Sequence, residues 1–146
     1  MDNAGYDILK LENQLCFPLY AAAREIVKRY KPWLDPIGLT YTQYIAMMVL
    51  WEKQSVTAKE LGDSLHLDSG TLTPMLKKME SMGLVTRARS GKDERHLVVT
   101  VTEAGMALRE KAVEIPLQIA GCTSLTPEEG AELYRLLYKI LGNPEK

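Results

Sequence analysis

Between Val56 and Val101 the pattern of apolar and polar positions defines a helix, a tight turn, a second helix and a β-hairpin. Ala58, Leu61 and Leu65 recur on one helical face, and Thr57 with Glu60 has the spacing of a capping box, which satisfies two N–H groups orphaned at a helix start. His66 and Leu67 break that pattern. Asp68 is a good N-cap for a second helix whose buried stripe is Leu72, Met75, Leu76 and Met79 and which ends at Gly83. Leu84 to Arg89 and Arg95 to Val101 are rich in Val and Thr and read as strands, joined by the polar loop Ser90 to Glu94. The order is that of a winged helix-turn-helix. Pro74 lies inside the second helix, past the first turn where its missing N–H costs nothing, so a slight kink is expected there.

The flanks are helical as well. From Ile8 to Trp33, the residues Leu11, Leu15, Leu19, Ala22, Ala23, Ile26, Val27 and Tyr30 make a broad apolar stripe, with residues 1–6 expected to fray. Pro18 leaves two readings open: a helix that starts near Cys16, with the proline in its tolerated first turn, or a longer helix from about Ile8 that kinks. Lys31 to Gly38, with two prolines and a glycine, reads as a connection. Thr40 and Gln43 form a second capping box, with Leu39 and Tyr44 as a hydrophobic staple, and open a helix to Trp51 that is apolar on almost every side and so expected to be buried. Thr102 starts a helix to about Ile115, where Pro116 bends or ends it; Thr126, Pro127 and Glu129 cap a last helix with the stripe Leu133, Leu136, Leu137, Ile140 and Leu141.

The fold class expected is therefore mainly α with a small β-hairpin wing, in one domain spanning residues 1–146. The DNA-binding part would occupy about 40–101, and dimerisation helices about 7–33 and 102–142. The terminal helices carry more apolar surface than one winged-helix unit needs, which suits a dimer matching a palindromic site; the alternative is a monomer with these helices folded on its own core.

Composition narrows the function. A chain of 146 residues with 46% hydrophobic content can bury a real core. It has no apolar run of the roughly 20 residues needed to span a membrane and no signal-peptide layout, so a cytoplasmic protein is expected. The chain has net charge -1, yet from Ser69 to Lys92 five basic residues (Lys77, Lys78, Arg87, Arg89, Lys92) face one acid, Glu80. Concentrated positive charge beside the hydroxyls of Ser69, Thr71 and Thr73 is the footprint of a DNA-binding surface, although a solvated helix face would carry lysines too. The two cysteines, Cys16 and Cys122, have no metal-ligand spacing, and no phosphate loop, paired carboxylates or Ser/His/Asp signature occurs; neither metal, cofactor nor enzymatic catalysis is expected.

The segment Asp68 to Glu80 and the wing residues Asp93-Glu-Arg95, followed by Leu97 to Gly105, resemble the MarR family of dimeric winged-helix regulators. Leu11 to Phe17 around Cys16, Tyr30-Lys-Pro32 and Thr40 to Tyr44 resemble its OhrR branch, which senses organic hydroperoxides, and the likeness covers nearly the whole chain. The resemblance implies that Cys16 is the peroxide-sensing thiol. It implies that Tyr30 and Tyr41 hydrogen-bond that sulfur from the partner subunit, with Tyr20 nearby, and that Arg95, steadied by Asp93, enters the minor groove of double-stranded DNA. In some members of the branch a second cysteine in the C-terminal region closes an intersubunit disulfide, a role open to Cys122.

The chemistry is coherent by itself. Peroxide reacts with thiolate, which a helix start and phenol donors favour, and Leu15, Phe17 and Leu19 would prefer a greasy peroxide. Judged on residues alone, Cys16 is more readily a small buried hydrophobe, and Cys122 as readily a solvent-facing bystander. Three functions remain: a repressor released from its operator when Cys16 is oxidised, a regulator released by a small phenolic ligand, or a thiol peroxidase using both cysteines.

Overall fold

The computed structural model describes residues 3–90 and 93–143. The chain divides into two units, Met1–Ile115 and Pro116–Lys146. In the first, α1 (Cys16–Leu34) and α2 (Tyr41–Lys53) precede a short strand β1 (Ser55–Thr57), then come α3 (Ala58–Leu65), α4 (Ser69–Ser81), β2 (Val85–Ser90), β3 (Asp93–Val101) and α5 (Glu103–Ala112). Helix α6 (Ile115–Ala120) begins at the boundary, and α7 (Pro127–Leu141) forms most of the second unit.

The helix starts are set by local chemistry. Thr40, Thr57 and Thr126 each close a full capping box with Gln43, Glu60 and Glu129, while Asp68 accepts from the Thr71 N–H and Thr102 from the Gly105 N–H. Of the two readings left by Pro18, the helix that starts at Cys16 is the one adopted. A proline in third place loses no helical bond, whereas a helix running through from Ile8 would drive its ring into the Gln14 carbonyl. The expected helix over Ile8–Leu15 is replaced by 3₁₀ turns at Asn3–Leu9 and Leu11–Asn13. The amides of Asn13 and Gln14 reach back to the carbonyls of Asp7 (2.7 Å) and Ile8 (2.7 Å) and hold these turns.

Three further expectations change. Helix α1 continues through Lys31 and Pro32 to Leu34, and the connection shrinks to a 3₁₀ turn at Asp35–Ile37 and Gly38, whose φ of 71° needs no Cβ to avoid. Helix α5 stops at Ala112, short of Ile115, and Pro116 becomes the second residue of α6, a position that suits its fixed φ. Strand β1 has no counterpart in the sequence reading. Its three residues are too few to show alternation, and it exists because β3 offers a free edge: Ser55 faces Thr100, Val56 faces Val99 and Thr57 faces Val98. The sheet is antiparallel with order β1-β3-β2, and β2 runs from Val85 opposite Val101 to Arg89 opposite Leu97 before an irregularity at Arg89/Ser90.

Met47, Leu50, Leu61, Leu76, Met79, Val85 and Val99 are the largest fully buried side chains, so α2, α3, α4 and both long strands share one core. The turn between α3 and α4 is tight because His66 takes a left-handed conformation (φ 54°) and the Leu67 N–H returns to the Gly62 carbonyl at 3.0 Å. A Cβ on Gly62 would lie 2.9 Å from the Leu67 carbonyl oxygen, so only glycine lets the chain double back here.

The wing is tied down where it leaves and re-enters the helical body. The Thr102 hydroxyl donates to the Gly83 carbonyl (2.6 Å), the Thr102 N–H donates to the Leu84 carbonyl (3.0 Å), and the Trp51 indole N–H donates to the Gly105 carbonyl (2.9 Å). A Cβ on Gly105 would collide with the Leu84 carbonyl oxygen and lie 2.7 Å from Val101 Cγ2. Gly105→Ala is therefore expected to destabilise the chain by about 1–3 kcal/mol, the usual range for overpacking against atoms that cannot move aside. Urea unfolding checks this, and a variant as stable as the parent would show that the junction is loose.

Candidate functional site

Helix α4 buries Leu72, Leu76 and Met79 and turns Ser69, Thr71, Thr73, Lys77 and Lys78 to solvent, so the expected DNA-facing residues share the face opposite the core. The helix is continuous through Pro74, which leaves the Gly70 carbonyl without its i+4 donor. Arg89 is exposed on β2. Lys92 lies outside the described residues, and for Asp93 and Arg95 the description extends to their backbone in β3.

Arg87, expected among the DNA-facing residues, is paired within the fold. It is not a free cation on the wing: its Nη2 donates to Glu80 Oε1 (3.1 Å) and its backbone N–H to Glu80 Oε2 (2.9 Å), with its side chain 20% exposed. The guanidinium and the backbone N–H hold the Glu80 carboxyl below the usual carboxylate range. Glu80 is also the residue that sequence reasoning passed over as one stray acid, since nothing in its spacing points to the strand beyond the turn.

The thiol and the phenols divide into two places. Cys16 is the first residue of α1 and is exposed, with Leu15 (83%) and Phe17 (45%) exposed beside it, so it is not a buried small hydrophobe in the single chain. Tyr20 lies one helical turn further on, exposed, with the Arg24 guanidinium 5.5 Å from its ring centre. Tyr30 and Tyr41 do meet, with ring centres 4.9 Å apart, and Tyr44 completes the cluster at 5.8 Å from Tyr30 and 6.4 Å from Tyr41. Tyr44 was legible as a core position but not as a member of this group, which forms because its buried ring lies under the C-terminal part of α1. Tyr30 is 14 residues from Cys16 along an unbroken helix, about 21 Å at 1.5 Å per residue. One chain does not assemble Cys16 with Tyr30 and Tyr41.

The spacing of α1 is nevertheless regular. Cys16, Tyr20, Ala23, Val27 and Tyr30 follow at intervals of four, three, four and three, which is a heptad seam on one face. Ala23, exposed and small, stands midway between Cys16 and Tyr30 on this face. In the second unit, Cys122 follows α6, and its thiol donates to the Gln118 carbonyl (3.4 Å). Helix α7 leaves Leu133, Leu136, Ile140 and Leu141 each more than 40% exposed, an apolar stripe uncovered in the single chain.

Residues 28–112 match the family described as Transcriptional regulator SarA/Rot. The chain is 52% identical over 136 residues to the organic hydroperoxide resistance transcriptional regulator of Bacillus subtilis, covering 93% of this chain and 92% of the relative. The chain belongs to the MarR family of winged-helix regulators. Among solved structures it is similar to AbfR of Staphylococcus epidermidis in reduced form bound to DNA, at 36% identity and a TM-score of 0.77 over 96% of this chain and 97% of that one. AbfR has also been solved overoxidised on DNA, with a TM-score of 0.77 to this chain at 35% identity (94% and 96% covered), and in a disulfide-formed state, with 0.64 at 35% identity (97% and 99%). A mutant of Escherichia coli MarR complexed with operator DNA matches at 26% identity and a TM-score of 0.74, over 87% and 93% of the two chains.

The phenols of the cluster are neutral donors at any physiological pH. Burial raises the pKa of Tyr30, Tyr41 and Tyr44 above the ordinary 10.0, and mutual repulsion of phenolates adds to the rise at Tyr30 and Tyr44. A raised folded-state pKa means that the stability these groups lend is complete below pH 10 and is lost as the pH climbs past it. Alkaline unfolding monitored by phenolate absorbance is expected to move to higher pH in Tyr44→Phe; an unchanged or lower midpoint would contradict the burial argument.

Proposed function

We propose that this MarR-family chain is a dimeric transcriptional repressor that binds a palindromic operator in double-stranded DNA and releases it when an organic hydroperoxide oxidises Cys16. The observation that carries the reading is the placement of an exposed thiol at the start of α1, at the head of a seam that ends in the tyrosine cluster. The relatives named for hydroperoxide resistance and solved on DNA give that placement its meaning. In the dimer, Tyr30 and Tyr41 of one chain donate to the Cys16 sulfur of the other, with Tyr20 beside it. The Cys16 thiolate attacks the terminal peroxide oxygen, the O–O bond breaks, and the leaving alkoxide takes a proton, giving sulfenic acid and an alcohol.

The second step belongs to Cys122. Its thiolate attacks the sulfenic sulfur of the partner's chain, an S–S bond forms, and the oxygen leaves as water. AbfR supports assigning release to the disulfide and not to oxidation alone, since the overoxidised protein was solved on DNA. On the DNA side, Ser69, Thr71, Thr73, Lys77 and Lys78 of α4 face the major groove and its phosphates, Arg89 and Lys92 accompany the wing, and Arg95 with Asp93 enters the minor groove. Dimerisation falls to α1 and the C-terminal helices, and the winged helix-turn-helix between them reads DNA. The chain is a stoichiometric sensor, not a peroxidase. Among the described residues no helix is long and apolar enough to cross a membrane, and the reading places the protein with its DNA in the cytoplasm.

Two experiments test this. Cys16→Ser is expected to bind the operator normally and to ignore cumene hydroperoxide, whereas Cys122→Ser is expected to be oxidised yet stay on DNA and form no covalent dimer on a non-reducing gel. Peroxide-driven release from Cys16→Ser sinks the sensor reading, and release from Cys122→Ser removes the disulfide from it. In salt titrations, Lys77→Ala is expected to lower the slope of log affinity against log salt by about one phosphate contact, and Arg95→Ala to cost the larger share of operator affinity. Equal operator affinity for Arg95→Ala and the parent would show that the wing does not reach the groove.

A further inference from the structure

We propose that Glu80 and Arg87 are positioning residues for operator recognition: their two-point clasp fixes the wing against the recognition helix, and specific DNA affinity depends on it. The inference rests on the DNA-binding reading above and adds to it two residues that act through others.

Glu80 sits in the last turn of α4, where a negative charge opposes the helix dipole, and on the DNA-facing side of the molecule, where it opposes phosphate. Neither helix stability nor DNA attraction accounts for a carboxylate there. Its contacts do. Both oxygens are engaged by one residue of the neighbouring strand, Oε1 by the Arg87 guanidinium at 3.1 Å and Oε2 by the Arg87 N–H at 2.9 Å. The strand's backbone is thereby pinned to the helix as well as its side chain, which a simple surface ion pair would not do. Between the two residues the chain makes a single short turn through Met82, Gly83 (φ 77°) and Leu84.

The clasp therefore spans the hinge about which β2 would swing relative to α4. Lys77 lies one turn before Glu80 and Arg89 two residues after Arg87, so the same clasp sets the distance between helix-borne and wing-borne charges. Arg87 Nε is enclosed with no hydrogen-bond partner among the described residues, which places this guanidinium against the protein and not out toward a phosphate.

The test uses the duplex that the wild-type protein itself selects from a random library, beside a scrambled duplex of the same length. Wild type, Glu80→Ala, Arg87→Met and the double variant are titrated on both at several salt concentrations, well below the thermal midpoint and with folding verified by circular dichroism. Charge alone predicts opposite effects, with Glu80→Ala tighter and Arg87→Met weaker. The clasp predicts that each single variant loses about tenfold on the selected duplex, the size of one good base contact. It further predicts that the double variant loses no more than the worse single, that the scrambled duplex is bound by Glu80→Ala at least as well as by wild type, and that exchange of the Arg87 amide hydrogen accelerates in Glu80→Ala. Should Arg87→Met fail to fold, Arg87→Lys takes its place with the same loss expected, since an ammonium keeps the charge without the fork. The proposal is overturned if Glu80→Ala binds the selected duplex as tightly as wild type. It is equally overturned if Arg87→Met weakens both duplexes alike and lowers the salt slope by about one, which would make Arg87 a phosphate contact. If wild type selects no sequence at all, the DNA-binding reading falls and takes the clasp's role with it.

Discussion

The close approach of α5 to the base of the wing is the constraint on which the DNA-reading half depends. Gly105 lets the α5 backbone come against the Leu84 carbonyl, and Thr102 uses one hydroxyl both to cap α5 and to hold the Gly83 carbonyl. Trp51 reaches the same place from α2. Three elements far apart in sequence thus converge on one turn, and the strands leave it in a fixed direction. From that anchored base, the Glu80–Arg87 contact carries the alignment outward to α4. The base of the wing is held by these few hydrogen bonds at a glycine contact together with the buried Leu84, Val85 and Val99.

A second constraint comes from the length of α1. A continuous helix of 19 residues is a spacer that keeps Cys16 at one end and Tyr30 at the other. Chemistry that needs a thiol and phenols together cannot occur within one chain built this way, and it becomes possible where two copies run antiparallel. Coupling sensing to assembly in this manner has a mechanical consequence. Under the proposed function, a covalent bond formed at the end of α1 would act on the interface that orients the two recognition helices, so that a change at one sulfur would be read as a change in half-site spacing. The uncovered stripe of α7 and the seam of α1 are the surfaces such a dimer would bury, and apart from Cys16 both are made of aliphatic and aromatic side chains spaced at helical period.

Local chemistry alone determined much of this protein. The capping residues Thr40, Thr57, Asp68, Thr102 and Thr126, the turn at His66 and Leu67, and the stripe of α4 were readable because each depends on neighbours within one or two helical turns. The recognition-helix hydroxyls and lysines were readable for the same reason, since a face is fixed by period. Tertiary structure decided what depends on residues far away. Strand β1 exists through its ladder with β3, because three residues carry too little pattern to specify a strand. Arg87 resembled every other basic wing residue until the fold brought Glu80 to it. Tyr44 joined Tyr30 and Tyr41 through the packing of α1 on α2, and Gly62 and Gly105 proved indispensable through what a Cβ would strike. Pro18 marks the boundary between the two kinds of information. The sequence limited it to two outcomes, and the folded chain chose the one in which the helix begins at Cys16, because there the proline's missing N–H deprives the helix of no internal hydrogen bond.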